Sequence, residues 1–266
     1  MDLASSNNSG ILGLSFSAQS VLNKGASATP TILNNLFDYL DDSRRFFAVR
    51  LGRFDNDSEA SLLSIGELDD DISEMTMFDV LLVGSNEYDY WKLPLRYLTI
   101  NGSSFTLYPS RIRDAVDPIA ILDTGTTLVL GPTKDVDALY TALGPSAQKN
   151  KDEMWEVRCE KAVILGFVFG TEGNEKEFVA DPGDFSWEKN EDGWCIGGIQ
   201  ANDGVNSGDW LLGDIFLRVC LLASGLPLPL MGFIECVCNP LWTKFNPSAD
   251  DRTFVDDRYG RSVASV

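Results

Sequence analysis

Residues 121–130 read Ile-Leu-Asp-Thr-Gly-Thr-Thr-Leu-Val-Leu, and no other stretch restricts the fold as strongly. Two apolar, strand-like arms flank a small polar turn, Asp-Thr-Gly-Thr-Thr. The arms gain by burial, so the turn is carried to the tip of a buried layer with few side chains to cover its carboxylate. Gly125 lets a backbone approach where a side chain would block it. The hydroxyls of Thr124, Thr126 and Thr127 can donate to Asp123 and hold its orientation. A carboxylate held in this way suits acid–base chemistry. The Asp-Thr-Gly triplet occurs once in the chain.

The rest of the sequence points to a mostly β fold. Short runs with strand character fall at residues 46–51, 62–65, 90–100, 163–169 and 178–179, separated by turns rich in Gly and Asp. Asn101-Gly102 is a hairpin-turn signal after the 90–100 run. Gly10-Ile-Leu-Gly-Leu14 reads as a buried strand or tight packing element. Two helices are expected. One covers residues 32–40. The other covers 133–143, with Thr133 as its cap, Asp135 and Asp137 in its first turns, and Gly144-Pro145 as its stop. Trp210-Leu-Leu-Gly-Asp214 is a second apolar-apolar-Gly element.

Composition removes several kinds of chemistry. With no histidine, Ser-His-Asp and Cys-His nucleophiles and His-based metal sites are absent. No Walker loop or dinucleotide fingerprint occurs, and no cofactor is implied. The acidic stretch after Asp55 lacks the Gly and the closing acid of a calcium loop, so no metal site is expected. A net charge of -19 argues against nucleic acid and anionic membranes as partners. The five cysteines are an odd number, so at least one is unpaired. Glycosylation triplets begin at Asn7, Asn56 and Asn101. The residues after Met1 do not read as a signal peptide.

Taken in order, these motifs resemble the pepsin-like aspartic peptidases. Ile121-Leu-Asp-Thr-Gly-Thr-Thr-Leu is similar to the family's second catalytic turn, and Val129-Leu-Gly-Pro-Thr133 to the stretch just after that turn. Trp210-Leu-Leu-Gly-Asp-Ile-Phe-Leu-Arg218 resembles the segment that threads past the same turn, and residues 10–14 its N-terminal counterpart. The resemblance implies a bilobal β fold in which each lobe donates one Asp, the two sharing a proton. It implies Asp123 as a catalytic acid, with Gly125, Thr126 and Thr127 binding substrate. Thr124, Leu211, Leu212 and Gly213 would support the site, and Cys159 and Cys195 would form the disulfide of the C-terminal lobe. It also implies a peptide or protein substrate and a secreted or vacuolar location.

The departures set further expectations. The family's first acid turn and flap tyrosine lie upstream of the segment matched by residues 10–14, so the N-terminal lobe is expected to be incomplete. Residues 1–85 would be its remnant with the inter-lobe sheet, and 86–266 the C-terminal catalytic lobe. Residues 220–241 are expected to be an anomalous insertion of the kind an unspliced intron would leave. Asp214 is expected to be structural. The function expected is that of an aspartic endopeptidase working in acid. It would be held here as a truncated form with one of two acids, needing the missing N-terminal lobe for activity. The alternatives are a silent peptide-binding remnant and a non-functional product.

Overall fold

The computed structural model describes residues 10–20, 30–52, 60–68, 76–82, 87–190, 192–205, 207–218, 220–225, 230–235, 255–256 and 261–263. Among these, strands dominate and gather into four sheets. The largest is organised by the strand Lys92–Ile100, in the place the alternating pattern predicts. Its first residues pair with Ile119–Leu122, Lys92 opposite Ile121. Its second half pairs with Leu165–Thr171, Ile100 opposite Leu165. One strand thus joins the strand before the acidic turn to the hairpin on the far side of the sheet. Leu165–Thr171 in turn pairs with Asn174–Ala180. The 163–169 and 178–179 runs of the sequence are the cores of this hairpin.

On the other side of Ile119–Leu122 the chain does something no hairpin can do. The strand Trp210–Leu212 runs parallel to Ile119–Leu122 and antiparallel to Val129–Gly131, lying between the two arms of the acidic turn. Ile199–Ala201 completes this side, parallel to Val129–Gly131. Trp210 is fully buried, and its ring fills the space beside Gly131, where a Cβ would lie 2.4 Å from the indole. Any side chain at 131 would expel that ring. Phe167, Phe169, Phe178 and Phe216 pack edge-on or tilted beneath the sheet.

The helix Thr133–Ala142 buries Val136, Leu139 and Tyr140, the i, i+3, i+4 stripe of one face. Its cap differs from the expectation. Pro132 holds the cap position without a side-chain bond, and Thr133 is the first helical residue. The Thr133 amide and hydroxyl instead donate to the carboxylate of Asp203, at 3.1 and 2.7 Å. A side chain 70 residues away serves the first free amide of the helix. The helix ends before Gly144, whose φ of +59° suits glycine. The shorter helix Ile32–Phe37 opens with a reciprocal Thr31–Asn34 capping box and buries Leu33 and Phe37.

A four-stranded sheet of Ser186–Lys189, Trp194–Gly197, Trp155–Arg158 and Ala147–Lys149 carries the Cys159–Cys195 disulfide, Cα atoms 5.1 Å apart. A five-stranded sheet runs in the order Leu62–Ile65, Phe46–Arg50, Cys220–Gly225, Leu230–Glu235, Thr76–Asp79. The stretch read from sequence as an insertion therefore supplies two inner strands of this sheet. A short three-stranded sheet joins Lys161–Ala162 to Arg261–Val263 and Val255–Asp256. Residues 10–14 are neither strand nor buried element: the segment is irregular, with Ile11 75% and Leu12 46% exposed. An apolar run becomes a strand only with a ladder partner, and none of the described strands pairs with it. It is tied down at its end, where the Leu14 carbonyl accepts from the Trp91 indole and Phe16 packs on the same ring.

Candidate active site

Asp123 comes directly after a fully buried strand, so its backbone is held before its side chain is considered. Its amide donates to the Leu212 carbonyl at 3.0 Å, and its own carbonyl accepts from Thr126 N at 3.2 Å, closing the turn. Both carboxylate oxygens are then engaged. Gly125 N donates to Oδ1 at 2.9 Å, and Thr126 Oγ1 donates to Oδ2 at 2.8 Å. Glycine also leaves room there: an added Cβ would sit a tight 3.1 Å from that oxygen. Thr124 and Thr127 lie exposed on the turn. Of the three hydroxyls expected near the carboxylate, Thr126 alone is bonded to it among the described residues. The outcome is a half-buried carboxylate with fixed orientation, facing an open surface.

The segment after Trp210 locks the turn from behind. Gly213 passes so close that a Cβ would stand 2.1 Å from the Thr126 carbonyl oxygen and 2.5 Å from that of Leu128. Immediately beyond, Asp214 N donates to Thr126 O at 2.8 Å and Ile215 N to Thr127 O at 3.2 Å. Leu212 is fully buried and Leu211 partly so. Since Leu212 is in register with Leu122 on the adjacent parallel strand, Asp123 stands level with Gly213, one residue before Asp214. Burial pushes the Asp214 carboxyl above its ordinary range; Arg218 works against this, and the charge of Asp123 adds to it.

Two polar anchors behind the site escaped the sequence reading. Asp209 is buried and accepts from Ser110 Oγ at 2.5 Å, Arg111 N at 2.8 Å and Ile119 N at 2.9 Å. It thereby fixes the start of the strand that leads into Asp123. Lys92, only 1% exposed, pairs with Asp89 at 2.8 Å in the strand next to Ile121. A charge standing before Trp210, or within the 90–100 run, was the available signal. Its meaning depended on partners far along the chain.

A cavity of about 400 Å³ lies between Tyr108, Pro109, Arg111, Pro132, Lys134, Asp135, Asp203 and Asp209, away from the acidic turn. Among the described residues no cluster of three or more His, Cys, Asp or Glu has the arrangement of a metal site. No helix there is long and apolar enough to cross a membrane.

The sequence has counterparts among known proteins. The model of the family described as eukaryotic aspartyl protease matches residues 2–223. Chymosin of Camelus dromedarius is 26% identical over 209 residues, covering 79% of this chain and 48% of that protein. Pepsin A of Bos taurus is 28% identical over 211 residues, covering 79% and 51%. Pepsin-3 of Oryctolagus cuniculus is 29% identical over 212 residues, covering 79% and 49%. The chain thus spans about half the length of the relatives it matches. With the family model matching most of its length, on top of the acidic turn and the strand threaded through it, the chain belongs to the eukaryotic aspartyl proteases.

Proposed function

We propose that this chain provides one half of an acid endopeptidase site, with Asp123 as one of two catalytic carboxylates. The observation that carries the reading is the double restraint on Asp123: a backbone amide on one oxygen, a hydroxyl on the other, and Gly213 wedged behind. A carboxylate that only stabilised the fold would gain nothing from being presented on an open face. In the reaction, two close carboxylates share one proton because their repulsion splits their titration. The ionised member takes a proton from a water that attacks the peptide carbonyl. The protonated member polarises that carbonyl and then supplies the proton needed by the leaving nitrogen.

Asp-Thr-Gly occurs once in these 266 residues, so the second acid of this scheme comes from a complementary N-terminal lobe, which activity requires. In this reading Thr124 braces that lobe, while Gly125, Thr126 and Thr127 face the substrate backbone. Asp214 is structural, its amide bonded to the Thr126 carbonyl, and does not serve as the second acid. The substrate is a peptide or protein chain, and the site of action is secreted or vacuolar. Support for that location comes from the Cys159–Cys195 disulfide, which belongs to an oxidising compartment.

The test is pepstatin-sensitive cleavage of a peptide at about pH 4, where such a pair holds one proton. The isolated chain is expected to be silent. Turnover by the isolated chain that Asp123→Asn leaves unchanged would overturn the reading. Turnover abolished by Asp123→Asn would mean instead that two copies supply the pair.

A further inference from the structure

The triplet Asn101-Gly102-Ser103 plays no part in the site described above, yet its placement is specific. It forms the connection between Lys92–Ile100 and Ser103–Phe105, with Ile100 paired to Ser103 across a two-residue turn. Asn101 and Gly102 both take positive φ, 51° and 79°, the pattern of the turn favoured by Asn-Gly. We propose that Asn101 is an N-glycosylation site. This does not rest on the peptidase reading.

The side-chain amide is presented for that chemistry. Asn101 Oδ1 accepts from Ile164 N at 3.0 Å, and Asn101 N donates to Ile164 O at 2.7 Å. The bond to Oδ1 turns the opposite edge of the amide, Nδ2, away from the Ile164 backbone. Glycosylation leaves the carbonyl oxygen of the amide in place, so the bond to Ile164 survives modification. Space is available as well: Gly102 and Ser103 are exposed, and a Cβ built on Gly102 would meet nothing within 4 Å. The Cys159–Cys195 disulfide belongs to a compartment that also hosts such transfer. The turn stands at the far end of Lys92–Ile100 from Lys92, the partner of Ile121. At ~3.3 Å per residue this places the glycan roughly 30 Å along the strand from the acidic turn. An oligosaccharide there leaves the face of Asp123 open.

The reaction uses a polyprenyl-diphosphate oligosaccharide donor and a transferase, both supplied by the host cell. Nδ2 attacks the anomeric carbon of the donor. The N–C bond forms as the C–O bond to the diphosphate breaks, the diphosphate departs with the electron pair, and Nδ2 gives up one proton. The Ser103 hydroxyl completes the acceptor triplet.

The test directs the full chain into the secretory pathway of a yeast cell. The peptides containing residues 7, 56 and 101 are then mapped by mass spectrometry, with and without peptide N-glycosidase, in secreted and retained protein alike. The expected result is glycan on Asn101 in the native chain and in Ser103→Thr, and its complete loss in Asn101→Gln and Ser103→Ala. Ser103→Ala keeps Asn101 and its left-handed backbone, so loss of glycan there cannot be blamed on a disturbed turn. An unmodified residue-101 peptide in the native chain overturns the proposal, whether or not residues 7 and 56 carry glycan.

Discussion

Among single residues, glycines and carboxylates set the tolerances of the molecule. The Cβ of Ala at 213 would collide with two carbonyl oxygens, and these belong to the turn itself and cannot swing aside. Gly213→Ala is expected to cost about 3 kcal/mol, the upper end for overpacking, measurable as a lowered urea midpoint. An unchanged midpoint would mean that the turn is looser than described. Asp135 tests a different effect. It is buried, and burial raises its carboxyl above the ordinary range; the Tyr108 amide opposes this, Asp209 adds to it and Arg111 opposes it. Between the unfolded value of about 3.9 and the raised folded value, the native state holds more protons than the unfolded state. Stability from this group is therefore greatest in acid and is lost as pH rises through that window. Asp135→Asn keeps an oxygen acceptor for Tyr108 N, now met at 2.8 Å. It should raise the melting temperature at about pH 7 and not at about pH 3, below both values. Equal shifts at both pH values would assign the effect to packing.

Among the elements, the Cys159–Cys195 bridge does for its sheet what Gly213 does for the turn. Cys195 sits opposite Val157 on the neighbouring strand, and Cys159 N donates to Gly193 O just before that strand begins. The bridge closes a sequence separation of 36 residues, for which chain entropy gives about 3–4 kcal/mol. Replacing both cysteines by alanine should lower stability by that amount, read from denaturant unfolding. A loss below about 1 kcal/mol would mean that the unfolded chain is already constrained there. Elements were also where the sequence was most legible. Lys92–Ile100, Leu62–Ile65 and Thr133–Ala142 lie close to where periodicity and turn residues put them. The helix cap was misread because Asp203, which accepts from its first amide, has no sequence signal linking it to Thr133.

For the molecule as a whole, the hairpin of Cys220–Gly225 and Leu230–Glu235 decides whether one of the sheets exists. Phe46–Arg50 and Thr76–Asp79 are bridged only through it among the described strands. A variant lacking residues 220–235 should lose that sheet, uncovering the buried Phe47 and Phe78. The expected signs are dye binding, reduced strand signal in circular dichroism and a broadened melt. An unchanged cooperative melt would place the segment outside the fold, as an insertion would be. The site depends on the same long-range organisation: Asp123 is local, but its restraint by Leu212 and Gly213 comes from a strand about 90 residues later.

Adjacent residues and their spacing were enough to establish the β character, the acidic turn that carries Asp123, and the family; which of its three threonine hydroxyls meets the carboxylate was left to the structure. These are local facts, legible without a distant partner. Long-range assembly settled the rest: Trp210–Leu212 passes between the arms of the turn, Asp209 and Asp203 anchor distant elements, and Ile11 and Leu12 stay exposed. Each of these turns on whether a partner tens of residues away is present. An apolar run records that a segment gains by burial, while the choice of which segment buries it belongs to the assembled chain.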